Sequence, residues 1–276
     1  MPSELIDSLT ELATRAAIAA GEELVRRYGN VEGLNTKSTA TDPVSDADRA
    51  SERLLVDLLL AERPDDGMIG EEGAARDSAS GLTWVIDPLD GTVNYLYQLD
   101  NFSVSVAVED ADGSLVGVVH DPITLRTYTG IRGHGAYLDA PVIGGEPGET
   151  RRRRLKVNDP VPLGEAMVGT GFGYSPERRA AQGALVAALL PQIRDIRRIG
   201  SAALDLCAVG AGLVDAFFEE GLQRWDMAAG GLIASEAGAV VVPFTPTGAP
   251  TGMLAAGPAL FGPLTEAVAA ITGAGR

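Results

Sequence analysis

Apolar side chains recur along residues 3–28 at Leu5, Leu9, Leu12, Ala16, Ala20 and Leu24. Steps of three and four predict one long amphipathic helix, with Ser3 as its cap and Gly29 as its stop. A polar stretch follows, "NTKSTATDPVSDADR". A second helix is expected from about Ser45 to Ala61, with Leu54, Leu55, Leu58 and Leu59 as its stripe and Pro64 and Gly67 ending it. A short strand at 67–70 runs into "GEEG", and Thr83-Trp84-Val85-Ile86 reads as a buried strand. Strand-like segments then crowd together at 102–109, 115–120, 125–130 and 136–138, with "EDADGS" as a turn between the first two. This half predicts two helices beside an antiparallel sheet.

Residues 139–152 are rich in Pro and Gly and read as irregular. Beyond them the period changes. Strand candidates at 166–170, 194–199, 214–218 and 239–243 alternate with helix candidates at 176–190, 201–211 and 226–237, an alternation that argues for an α/β layered lobe. The expected organisation is an N-terminal α+β lobe over 1–142 and a C-terminal α/β lobe over 143–276.

Composition narrows the function. The 276 residues are 45% hydrophobic, enough for one large domain or two lobes sharing a core. Acidic residues number 38 against 22 basic, a net charge of −16. A field of that sign repels nucleic-acid backbones, so no nucleic-acid partner is expected. It also repels a phosphorylated small molecule unless cations neutralise the acids locally. Cys207 is the sole cysteine, which fits a reducing compartment. The start "MPSE" lacks a signal-peptide pattern, and no apolar run reaches the length of about 18 that a membrane span needs. A cytoplasmic location is expected. "RRRR" at 151–154 is the one notable charge run and reads as a solvated loop edge. His120 and His134 need no chemical role.

The chemistry lies in the acids at element ends. Asp42 and Asp48 flank the start of the second helix, Glu71 and Glu72 follow a short strand, Asp87 and Asp90 end the strand at 83–86, and Asp226 opens a helix. One acid at a helix start is ordinarily a cap or a dipole partner. Two acids directly after a hydrophobic strand, in "DPLDGT", are harder to explain by solubility. Carboxylates that converge are costly unless a cation sits between them, and Mg²⁺ prefers such oxygen ligands. Pro88 favours extended geometry at Asp87. The chain can then turn Asp87, the Leu89 carbonyl and Asp90 toward one point. Gly91 allows close backbone approach, and Gly91 and Thr92 open a helix whose N–H groups suit an anion.

With these motifs in order, the sequence resembles the inositol monophosphatase family, within the Mg²⁺-dependent, Li⁺-sensitive phosphatase superfamily. "DPLDGT" at 87–92 matches its D-P-[IL]-D-G-T, and "WDMAAG" at 225–230 its W-D-x-A-[AG]. "GEEG" at 70–73, "DPVSDAD" at 42–48, "GVVHDP" and "GHGAYL" match in the same order. The resemblance covers nearly the whole chain. It implies a layered α-β-α-β-α sandwich, typical of sugar phosphatases, with the metal site between two lobes. It implies a phosphoric monoester hydrolase that releases inositol and phosphate from inositol 1-phosphate. Two to three Mg²⁺ ions are implied, with Mn²⁺ as a substitute, Li⁺ as an inhibitor, and a homodimer.

By position, the resemblance implies one metal at Glu71, Asp87 and the Leu89 carbonyl, and a second at Asp87, Asp90 and Asp226. A third, weaker site uses Glu71 and waters. Thr92 and Asp48 orient and deprotonate the attacking water, the Gly91 and Thr92 amides hold phosphate, and Ala202 and Glu219 meet the polyol ring. Lys37 lies in a loop that closes near the metals in the family. Histidinol phosphate, fructose 1,6-bisphosphate and nucleotide 3′-phosphate are alternative substrates; the lack of a large insertion leans against the last. A regulatory protein on this fold is an alternative of another class. It is expected to have lost a metal acid, yet Glu71, Asp87, Asp90, Thr92 and Asp226 are all present.

Overall fold

The structure is a computed structural model that describes residues 3–30, 33, 35–36, 43–146 and 148–273. Asp42 and Lys37 lie outside the described residues. Helix α1 (Ser3–Arg27) ends two residues before Gly29, whose φ of +82° takes the chain out of the helix. A two-residue pair, β1 (Asn35–Thr36) with β2 (Pro43–Val44), precedes α2 (Asp46–Glu62). Ser45 caps α2 in a capping box: its hydroxyl accepts from Ala47 N–H, and Asp48 accepts from Ser45 N–H. Then come β3 (Gly67–Gly70), β4 (Ala75–Arg76), β5 (Thr83–Asp90), the short α3 (Thr92–Leu96), β6 (Ser103–Asp110), β7 (Gly113–Asp121), β8 (Arg126–Ile131), β9 (Gly135–Pro141) and β10 (Thr150–Arg154).

These form an eight-stranded sheet in the order β10-β9-β8-β7-β6-β5-β3-β4. It is mixed rather than antiparallel throughout, because β3 and β5 run parallel. The stretch 139–152, expected to be irregular, contains the end of β9 and the start of β10, which pair antiparallel. The arginine run is therefore an edge strand of this sheet, and all five residues of β10 are exposed.

The remaining chain gives β11 (Met167–Thr170), α4 (Pro176–Leu189), β12 (Asp195–Arg197), α5 (Ala202–Gly210), β13 (Ala216–Glu220), α6 (Arg224–Glu236), β14 (Val240–Pro243), β15 (Gly252–Ala256) and α7 (Pro258–Thr272). Its sheet has the order β12-β11-β13-β15-β14. The sequence pattern did not predict β15 or α7. "GMLAA" is too short and small to alternate visibly, and Pro258, Pro263 and Gly262 disguise the last helix.

Strand alternation sorts the apolar side chains into three cores, which makes an α-β-α-β-α sandwich. Trp84 and Ile86 face α1 and α2, meeting Leu9, Leu24, Leu55 and Leu59. Val85, between them, faces the other way, into a core with Leu206 of α5, Ile233 of α6 and Phe217 of β13. Phe218, next to Phe217, faces the third core with Leu185 of α4 and Leu260 of α7. Both faces of β5 are thus covered, which explains its unbroken apolar run.

Helix α6 lies against the large sheet over two glycines. A methyl group on Gly117 would lie 2.8 Å from the Ala229 Cα, and one on Gly130 would lie 2.9 Å from the Ile233 Cα. Backbone on both sides leaves no flexible atom to move aside. Gly117→Ala is expected to lower the free energy of unfolding by about 2 kcal/mol through overpacking. A denaturant titration reads this as a lower midpoint, and an unchanged midpoint would show that α6 can retreat.

Candidate metal and phosphate site

Strand β5 delivers two carboxylates to one place by breaking its own alternation. In a regular strand, residues three apart point to opposite faces. Opposite β6, however, Asp87 pairs with Ser105 and Asp90 with Ser103, so three steps on one strand face two on the other. This irregularity inserts one residue and turns both acids to the same side. Asp87 Oδ1 accepts the Leu89 N–H at 3.0 Å, which tightens the turn around Pro88. Gly91 follows with φ +94°, and a methyl group there would lie 3.0 Å from the Asn101 carbonyl oxygen.

The other acids arrive from separate elements. Asp226 sits in the first turn of α6, where its Oδ2 accepts the Gln223 N–H at 2.6 Å. Ligand oxygens of Asp87, Asp90 and Asp226 all lie within 4.8 Å of one another. Glu71 follows β3 and lies near enough to raise the proton affinity of Asp87 by charge and by a hydrogen bond. Glu71, the three aspartates, Leu89, Gly91 and Thr92 line one cleft of about 530 Å³, with Ala202 and Glu219 on its wall.

Two hydrogen-bonded sets hold this cleft. The Thr92 hydroxyl approaches Asp48 Oδ1 at 3.1 Å and the Leu89 carbonyl at 3.0 Å. Asp48 is fully buried, and its Oδ2 accepts from the Ser45 hydroxyl at 2.6 Å and the Ser45 N–H at 2.8 Å. Asp90 is held at the start of α5: its Oδ2 accepts from Ser201 at 2.5 Å and from Ala203 N–H at 2.7 Å, and its Oδ1 from Ala202 N–H at 3.3 Å.

Burial and mutual repulsion push these acids up. Burial is the largest cause for Asp87, followed by the charges of Glu71, Asp90 and Asp226, and its pKa lies well above the ordinary value. Asp226 is likewise well above, through burial and then Asp90 and Glu71. Burial raises Asp90 to about 6, against the lowering pull of the Ser201 and Ala203 hydrogen bonds. Glu219 on β13 rises to about 7, chiefly by burial, with Arg198 opposing. Its carboxylate lies over Gly171, where a methyl group would meet Oε2 at 1.9 Å. An all-oxygen set of several carboxylates beside a main-chain carbonyl fits a hard divalent cation and does not suit a soft one.

Sequence reasoning passed over several residues here. Arg178 and Arg198 line the same cleft and bring positive charge to its wall. Ser201, unnamed in the sequence reading, caps α5 and donates its hydroxyl to Asp90. His120 lies outside the cleft, buried against Gly21 of α1 and bonded to Thr127. His134 is exposed at the β8–β9 turn.

Comparison with known proteins shows what the chain as a whole is similar to. Residues 5–271 match the model of the inositol monophosphatase family. An inositol-1-monophosphatase of Mycobacterium leprae is 43% identical over 251 residues, covering 87% of this chain and 84% of that protein. The Nus factor SuhB of Pasteurella multocida is 39% identical over 242 residues, covering 87% and 86%. The solved structure of Mycobacterium tuberculosis SuhB superposes with a TM-score of 0.80 at 38% identity, covering 96% of this chain and 97% of that one.

The raised acids set a pH dependence. Asp87, Asp226, Asp205 and Glu219 keep protons in the folded state at a pH where the unfolded chain has lost them. The folded state gives these protons up as pH rises and loses stability in doing so. His120, lowered from 6.5 to about 4 by burial, adds stability as pH rises between those values and offsets part of this loss. Metal-free protein is therefore expected to lose thermal stability as pH rises from about 4.5 to about 7, the range between the ordinary and the raised value of Glu219, and a divalent cation to restore more at the upper end. Melting curves in chelator and in cation check this; a metal-free melting temperature that rises across the window would overturn it.

Proposed function

The chain belongs to the inositol monophosphatase family and is a phosphoric monoester hydrolase acting on a small phosphorylated substrate; on that premise we propose that it is a Mg²⁺-dependent inositol-1-phosphatase. The observation that carries this reading is the convergence of Asp87, Asp90 and Asp226, from two remote parts of the chain, on one point within 4.8 Å. In this proposal Glu71, Asp87 and the Leu89 carbonyl hold one ion, and Asp87, Asp90 and Asp226 hold a second. A third, weaker site uses Glu71 and waters. Bound there, Mg²⁺ supplies Lewis acidity for the phosphoryl oxygens and a nucleophilic water at neutral pH.

The chain's own groups position the reaction. Thr92 Oγ1 accepts a hydrogen bond from the attacking water and can pass its own proton to Asp48, the buried carboxylate it already faces. The bonds from Ser45 fix the orientation of Asp48 during this transfer. The Gly91 and Thr92 amides, at the start of α3, receive phosphate oxygens. Ala202 and Glu219 meet the polyol. With a pKa of about 7, Glu219 can either accept from a hydroxyl or donate to one near neutral pH. Little covalent work is left for the protein, so neither His120 nor the buried Cys207 is needed.

We propose further that the protein is cytoplasmic, homodimeric, inhibited by Li⁺ and supported by Mn²⁺. Among the described residues, no helix is long and apolar enough to cross a membrane. A second reading, a regulatory role on this fold, draws on relatives named Nus factor SuhB. The presence of every proposed metal acid favours catalysis as the main role.

The decisive measurement is Mg²⁺-dependent phosphate release from inositol 1-phosphate, histidinol phosphate, fructose 1,6-bisphosphate and 3′-phosphoadenosine 5′-phosphate. Inositol 1-phosphate is expected to give the highest kcat/KM. A preference for histidinol phosphate would replace the substrate and keep the mechanism, and no turnover of any would sink the enzyme reading. Asp90→Asn is expected to abolish turnover while circular dichroism stays that of the native fold; a near-normal rate would remove Asp90 from the site.

A further inference from the structure

Helix α2 braces the turns that carry the cleft's acids from three positions on one face. Asp48 meets Thr92, Ser51 donates to the Pro88 carbonyl at 2.8 Å, and Glu52 reaches the turn after β3. Positions i, i+3 and i+4 share a helix face, so one rigid element reads the position of both acid-bearing turns. Asp48 and Ser51 engage the turn carrying Asp87 and Asp90. Glu52 engages the turn carrying Glu71.

The Glu52 contact is built rather than incidental. The residue is 8% exposed. Oε2 accepts the Glu72 N–H at 2.9 Å, and Oε1 accepts the Ala74 N–H at 3.2 Å. Its carboxylate passes directly over Gly70, where a methyl group would lie 2.3 Å from Oε2 and 2.9 Å from the Ala74 Cβ. The carboxylate therefore reaches both N–H groups only because residue 70 has no side chain. From the other side, the Gly70 N–H bonds the Ala74 carbonyl at 2.7 Å, closing the turn, and the Glu71 N–H bonds the Ile86 carbonyl of β5 at 3.3 Å. A buried carboxylate close to an acid cluster is unfavourable on its own, and charge-assisted bonds to two backbone N–H groups compensate it locally.

We propose that Glu52 is a positioning residue for the metal site: by gripping the N–H groups of Glu72 and Ala74 it fixes the turn after β3 and holds Glu71 against Asp87. This rests on the reading of Glu71 as a metal ligand. Glu52 itself touches neither metal nor substrate in this assignment. Its effect passes through the backbone of residues 71–74. Gly70 is the second part of the device, a clearance without which the grip fails.

The test is Mn²⁺ binding to substrate-free protein, followed by calorimetry and electron paramagnetic resonance, on Glu52→Ala, Glu52→Gln, Gly70→Ala, Glu71→Gln and the double variant Glu52→Ala/Glu71→Gln. Residues that orient ligands from behind typically cost about 10–100-fold in metal affinity. Glu52→Ala and Gly70→Ala are each expected to weaken Mn²⁺ about tenfold or more, with Glu52→Gln, which keeps one acceptor, in between. If Glu52 works through Glu71, the double variant binds no more weakly than Glu71→Gln alone. Additive losses would show that Glu52 acts by another route and overturn the proposal, as would Glu52→Ala binding Mn²⁺ like the parent. If Glu52→Ala does not fold, Glu52→Gln and Gly70→Ala carry the same comparison. Because Mn²⁺ binding is read without turnover, a protein inactive on every substrate fails as a phosphatase while this measurement still returns its own answer. Unchanged binding in Glu71→Gln would remove Glu71 as a ligand and this assignment with it.

Discussion

Like charges brought together away from water are the constraint on which the rest of this structure turns. Asp87, Asp90 and Asp226 meet within 4.8 Å, and each has its proton affinity raised by burial and by acidic neighbours. Such a cluster is intrinsically unfavourable, and only an unusually stiff frame can hold it together before a cation arrives. The frame is the five-layer sandwich. Asp87 and Asp90 come from the end of β5 and Asp226 from the first turn of α6, and both elements are buried on at least one long face.

Stiffness is supplied in pairs of contacts. The start of α5 grips Asp90 with one hydroxyl and two N–H groups, and the start of α6 grips Asp226 through Gln223. Both helices occupy the middle layer, between the two sheets. Helix α6 cannot drift away from the acid-bearing sheet without opening the close contacts at Gly117 and Gly130. The same middle layer thus fixes the separation between a carboxylate that follows residue 86 and one that follows residue 225.

Much of this was legible in the sequence, for physical reasons. Leu54, Leu55, Leu58 and Leu59 announce a helix from about Ser45, and the structure places the start of α2 directly after Ser45. Trp84-Val85-Ile86 announces a strand covered on both faces. That Asp87 and Asp90 could turn toward one point was legible in "DPLDGT"; the pairing irregularity that does it, and the arrival of Asp226, were not. An irregularity in strand pairing rotates Asp90 relative to Asp87, and nothing local in "DPLD" encodes its partner strand. Family resemblance, not periodicity, joined Asp226 to the group. Glu52 stayed hidden because a lone acid beside the stripe of Leu54 and Leu55 reads as an ordinary charged helix position. The strand at 150–154 stayed hidden because Pro and Gly before it mask its pairing, and β15 and α7 because small residues and prolines blur the period.

The arginine edge has a consequence for assembly. An open eight-stranded sheet ends at β10 in a row of main-chain groups suited to receive another strand. Arg151 to Arg154 occupy four consecutive positions there, all exposed. A second copy docking antiparallel on this edge would bring two tracts of four guanidinium groups together. Repulsion of that kind disfavours pairing of the edge with its own duplicate while leaving it open to water. The most basic segment of an acidic chain thus stands on this edge as a barrier of like charge.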